Sequence, residues 1–146
     1  MIDIRLKKIL IVLVYWVVFV NMFFFNVVLH EFGHYLAASS YDLEPKVDFD
    51  LGKIEEIFSF RFEGIPIAST SFIDNGDLSQ VRIVAGMGPF INLLLAVIFL
   101  TLFVFLRKNK YVDEVLLICF MVSIASFIMN ILPLNGADGR LIFGAG

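Results

Sequence analysis

The chain has 146 residues, enough for one domain, and is 60% hydrophobic with a mean hydropathy of +0.90, well above the roughly 45–50% apolar content of ordinary soluble domains. A soluble protein of this size has no way to hide that much apolar surface, so a membrane class leads. The net charge of −3 argues against a nucleic-acid partner, and the single cysteine, Cys119, rules out an intrachain disulfide.

Three segments are long and apolar enough to cross a bilayer. The first is Ile9 to Leu29, interrupted only by Asn21 and Asn26. At ~1.5 Å per residue it spans roughly 31 Å, the thickness of the hydrocarbon core. The second runs from about Ile83 to Leu106 and ends in Arg107, Lys108 and Lys110; the third runs from about Val115 to Leu134. Each is expected to be a helix, because only helices and closed barrels satisfy the backbone in lipid. A signal peptide is the alternative for the first segment, given its basic start and the small residues of "LAASS" at 36–40. The apolar stretch exceeds the ~7–15 residues of a signal core, and cleavage there would discard both histidines.

Between the first two spans, about Tyr41 to Gln80, the composition changes. This stretch holds nine of the 14 acidic residues. Parts of it alternate: Val47, Phe49 and Leu51 against Asp48 and Asp50, then Phe58, Phe60 and Phe62 against Ser59 and Arg61. Period two predicts strands with one apolar face. "DNGD" at 74–77 predicts a turn, with Ser79 as the cap of the second helix. The expected fold class is an all-α membrane protein: three transmembrane helices, at about 9–38, 78–107 and 112–132, with a small β-hairpin insertion at about 44–73 between the first and second. The whole of 1–146 is expected to form one core.

With the N-terminus inside, six Lys/Arg fall inside and five outside, so orientation stays open. With three spans, the end of the first, the start of the second and the end of the third share one side whichever way the chain lies.

That side carries the chemistry. "HEFGH", residues 30–34, contains the only two histidines of the chain. Residues four apart on a helix differ by ~40° in direction, so His30 and His34 point the same way. Two imidazoles at that spacing can grip one zinc ion, with Glu31 beside them to handle protons for its water. Asn26 lies one turn earlier on the same stripe and is a candidate partner for these ligands. As helix-end polar residues alone they would mean little, but ionisable groups at membrane depth are costly and default to function. A catalytic zinc site needs a third protein ligand and an open position. Asp138, in "NILPLNGADGR", returns to the same side after the break at Pro133. Taken alone it reads better as a turn aspartate before glycine, the commonest turn chemistry. The second span opens with "GMGPFIN", where Gly86 and Gly88 permit close packing, Pro89 frees a carbonyl and Asn92 puts an amide inside the bilayer.

"HEFGH", then "GPFIN", then "NILPLNGADG", in that order and each at a membrane segment, resembles the site-2 protease family of intramembrane zinc metallopeptidases. The likeness covers about residues 20–40 and 80–142, and the hairpin fits by position. The resemblance implies His30, His34 and Asp138 as zinc ligands, one Zn2+ per chain, Glu31 as general base, and Asn92 and Asn130 as groups assisting substrate or the oxyanion. The strand at Phe58, Phe60 and Phe62 is a candidate clamp for an unwound substrate, through main-chain pairing. The chain departs from the family in lacking a PDZ or CBS domain and in ending eight residues after Asp138, the pattern of a minimal member or a fragment.

The expectation is therefore a multi-pass protein of the cell membrane. It would hydrolyse peptide bonds in or near transmembrane segments of membrane-protein or transmembrane-peptide substrates, with the lipid bilayer as its surroundings. The alternative is an inactive membrane zinc-binding or partner-binding protein of the same fold. Glu31 weighs against it, since a purely structural site has no use for a carboxylate beside its first ligand. A proton- or ion-moving subunit would place polar residues along all three spans, whereas here they cluster at one end.

Overall fold

The apolar run that begins at Ile9 belongs to a longer helix than hydropathy alone marks out. In the computed structural model, which describes residues 4–49, 68–106, 109–134 and 137–144, helix α1 runs Ile4–Ser40. It takes in the basic turn of Arg5, Lys7 and Lys8 as well as the whole of "HEFGH". At ~1.5 Å per residue it is roughly 55 Å long, more than the ~30 Å of a bilayer core. The helix stops in a Schellman arrangement. Asp42 turns to φ 57, Leu43 N donates to Ala38 O at 3.1 Å and Asp42 N to Ser39 O at 3.2 Å. Aspartate tolerates the left-handed region better than most residues. Leu43 then packs on Ala37, Ala38 and Val84, the apolar contact that accompanies this motif.

Strands β1 (Lys46–Phe49) and β2 (Ala68–Ser71) follow, paired antiparallel with Lys46 opposite Ser71 and Phe49 opposite Ala68. Ile73 N donates to Leu43 O at 2.9 Å and closes the base of the insertion. The expected hairpin is thus present, in the expected place. Leu51 and the strand expected at Phe58, Phe60 and Phe62 lie outside the described residues.

The "DNGD" turn forms through its own side chains. Asp74 Oδ1 accepts from Gly76 N at 2.8 Å, Asn75 Oδ1 accepts from Asp77 N at 3.0 Å, and Gly76 adopts φ 84. It leads into helix α2 (Leu78–Phe105), where one expectation needs correcting. Ser79 lies inside the helix; the cap is Asp77, whose Oδ1 accepts from Ser79 N at 2.9 Å and Gln80 N at 3.4 Å. A carboxylate caps as well as a hydroxyl and adds a charge of the right sign for a helix start. Helix α3 (Lys110–Ile131) is capped by Asn109 and ends at Leu132, which is extended because Pro133 follows. A short helix α4 (Gly139–Phe143) closes the described chain.

Helices α1, α2 and α3 are each long and apolar enough to cross a membrane. Large apolar side chains such as Trp16, Phe90 and Met121 are exposed on their outer faces, which suits contact with lipid. Two small clusters join the helices. Met22 of α1 meets Cys119 and Val122 of α3, and Ala37, Ala38 and Leu43 meet Val84 of α2. Packing in lipid depends on close approach rather than on hiding apolar area. Gly33 provides it: a Cβ there would come 2.8 Å from Met87 O and 2.9 Å from Ile91 Cγ1. Tyr15 adds a polar tie by hydrogen bonding Glu114 across α1 and α3.

Candidate metal centre

His30 and His34 sit one turn apart on the buried face of α1, their rings 4.7 Å apart and nearly perpendicular. Their Nε2 atoms are 3.0 Å apart. Asp138 arrives from the segment after α3, with Oδ2 2.9 Å from His30 Nε2 and 3.3 Å from His34 Nε2. Asp138 occupies the cap position of α4 but makes no cap hydrogen bond; its carboxylate is turned to the histidines instead. Burial works against charge on Asp138, yet the two histidines beside it outweigh burial and hold its carboxyl down at about 2. It is an anion at neutral pH.

Three lone-pair-bearing atoms from distant parts of the sequence therefore converge, in a group able to hold a metal ion. Asp138 Oδ2 is buried and faces both imidazole nitrogens. Gly88 leaves the room the imidazoles occupy: a Cβ there would collide with both, reaching 2.7 Å from His30 Cε1. Gly139 allows α4 to tuck under the end of α3, since a Cβ would strike the carbonyls of Ile131 and Leu132. The donor set and the glycine-cut space both fit a cation.

Each imidazole is held from behind by α2. His34 Nδ1 is 2.7 Å from the Val84 carbonyl oxygen. This carbonyl lies next to Ala85, whose helical donor Pro89 removes. His30 Nδ1 is 3.0 Å from the Asn92 amide. Asn26, expected as the partner of the ligands, instead donates to Met22 O at 3.0 Å; the helix's own carbonyl four residues back is its nearest acceptor.

Glu31 is buried at the rim, and Thr70 Oγ1 of β2 donates to its Oε2 at 2.7 Å. The two lie on the wall of a cavity of about 130 Å³ together with His30, His34, Asn130 and Asp138. Asn130 Nδ2 donates to Ser126 O at 3.0 Å. Asn92 does not line the cavity. Thr70 is the residue that sequence reasoning passed over. Its only signal is a run of hydroxyls, "STS" at 69–71, shortly before the "DNGD" turn. Phe58, Phe60 and Phe62, expected as a clamp, lie outside the described residues.

The model of peptidase family M50 matches residues 18–113. The chain belongs to that family. It is the site-2 protease family that the three motifs resemble. The M50 match spans His30, Glu31, His34 and Asn92 and stops short of Asp138, so the place of Asp138 rests on the geometry above. Comparison with curated proteins and with solved structures finds no match.

Proposed function

We propose that this M50 member is an intramembrane zinc metalloprotease, cutting peptide bonds in or near the transmembrane segments of membrane proteins. The observation that carries the reading is the convergence of His30 Nε2, His34 Nε2 and Asp138 Oδ2 beside Glu31 at one cavity. Their separations of 2.9 to 3.3 Å are close to the ~3.3 Å between neighbouring ligands of a tetrahedral zinc with bonds of ~2.0–2.1 Å. Three protein ligands among the described residues would leave a fourth position open, as hydrolytic sites require and structural sites do not.

A zinc ion held there supplies a Lewis acid that acidifies water and polarises a carbonyl group. The rest falls to the chain. Glu31 takes a proton from the attacking water and returns it to the leaving amine. Thr70 holds Glu31 to the cavity while it does so. Asn130 has two amide hydrogens, one of which goes to Ser126 O; the other serves the developing oxyanion. The apolar outer faces of the helices bring the site to its substrates within the bilayer, and β2 lines one wall of it.

The test begins with elemental analysis of detergent-purified protein, wild type beside His34→Ala. Near one zinc per chain, lost in the variant, supports the site. A panel of single-span reporter polypeptides, co-reconstituted in vesicles, is then scored for cleavage by wild type and Glu31→Gln. Expected is cleavage that Glu31→Gln abolishes while keeping its zinc. A well-folded wild type that takes up no zinc, even when zinc is added, overturns the reading.

A further inference from the structure

Resting on the reading that His30 binds zinc through Nε2, we propose that Asn92 is a positioning residue for that ligand. Its side-chain oxygen accepts from His30 Nδ1–H and fixes the tautomer that leaves Nε2 free. Asn92 is 1% exposed and absent from the cavity wall, so it has no route to a substrate carbonyl. The oxyanion role suggested by resemblance does not suit a side chain placed there.

The argument is one of donors and acceptors. An imidazole that gives its Nε2 lone pair to a metal carries its remaining proton on Nδ1. That proton needs an acceptor within reach, and the group 3.0 Å away is the Asn92 amide. An amide nitrogen cannot accept; an amide oxygen can. A half-turn about the last side-chain torsion exchanges the two without altering the shape of the group. The same half-turn gives a partner to Asn92 Oδ1, otherwise a buried oxygen with no hydrogen-bond partner among the described residues, and moves the amide nitrogen to the position that oxygen leaves. His34 obeys the same logic by a different device, because the group 2.7 Å from its Nδ1 is the Val84 carbonyl oxygen, which can only accept. Both ligands thus have an acceptor on α2, one from backbone and one from a side chain. Helix α2 acts as a jig that sets both rings in the metal-binding tautomer.

The test is zinc affinity of the detergent-purified protein, measured by competition with a chelator of known strength. Wild type is compared with Asn92→Ala, which removes the acceptor, and Asn92→Asp, which keeps one. Asn92→Ala should bind zinc about 10–100-fold more weakly, the usual cost of losing such a partner, and Asn92→Asp should stay close to wild type. Equal affinity in wild type and Asn92→Ala overturns the proposal and leaves the zinc site standing. A folded wild type that binds no zinc overturns the zinc site and this inference with it. Should Asn92→Ala fail to fold, nitrogen-15 histidine spectra of the zinc-loaded wild type decide, since the chain has two histidines. Both rings should carry the proton on Nδ1, and Asn92→Asp should move one signal and not the other. A His30 ring protonated on Nε2 overturns the proposal.

Discussion

Thr70 Oγ1 lies 2.7 Å from Glu31 Oε2 and 3.2 Å from the Glu31 carbonyl oxygen, so one hydroxyl on β2 meets helix α1 at both side chain and backbone. The insertion is tied to the residue that would move protons. A carboxylate in a hydrogen bond from a hydroxyl keeps one orientation, and bonds to charged groups are worth roughly 1.5–3 kcal/mol. Thr70→Val keeps the shape and removes the donor. Its kcat on a cleaved reporter should fall about tenfold, or ~1.4 kcal/mol in barrier, with zinc content unchanged. Thr70→Ser should restore most of the rate. A Val variant as fast as wild type would show that Glu31 is aimed by something else.

Gly88 is set apart from Gly86, two positions earlier on the same helix. A Cβ at Gly88 would run into both imidazoles, whereas one at Gly86 would meet nothing within 4 Å. Gly88→Ala should therefore displace the rings, lose zinc and cost about 1–3 kcal/mol of stability, the range for forcing atoms into filled space. Gly86→Ala should leave zinc content unchanged and thermal stability in detergent unchanged or slightly raised, since alanine is the better helix former. Matching behaviour of the two variants would mean that the imidazoles do not sit where the space was cut for them.

Asp138 is at a helix start without capping it, so its removal costs no cap and should be felt first by the metal. Asp138→Ala should weaken zinc binding by more than the ~10–100-fold expected of an outer partner, because a ligand itself is gone. The metal-free protein should also melt somewhat lower at neutral pH, because the contacts that hold the Asp138 carboxyl down at about 2 are lost with it. Unchanged affinity would place the third ligand elsewhere.

The parts legible in the sequence are those where one residue type admits few uses. Histidines four apart at the end of an apolar run announce a shared face, and three apolar runs announce three spans. The order of "HEFGH", "GPFIN" and "NILPLNGADG" gave the family. What escaped notice depends on tertiary placement. Thr70 is an ordinary strand threonine until β2 folds back on α1. Asn26 is on the right stripe for His30, but a helix offers every asparagine its own carbonyl four residues back, and that local bond won. Asn92 was legible as a polar group that must be satisfied, though not as one satisfied by a histidine from another helix. Helix α1 outran its apolar segment at the start because the basic turn of Arg5, Lys7 and Lys8 has good helix propensity, and hydropathy does not register that.

The cap of α2 offers a sharper contrast between pattern and structure. Serine is a favoured cap, and Ser79 stands near the start of the helix, yet Asp77 makes the capping bonds. The two assignments predict opposite outcomes. Asp77→Ala strips the acceptor from two backbone N–H groups and should cost about 1 kcal/mol. Ser79→Ala replaces a residue inside the helix by the best helix former and should cost nothing or stabilise slightly. Because Asp77 belongs to the turn that delivers the chain from β2 to α2, its loss should also loosen the hairpin. Amide hydrogen exchange should then quicken over 68–73 in Asp77→Ala and stay at the wild-type rate in Ser79→Ala. A larger effect from Ser79→Ala on either measure would return the cap to the serine.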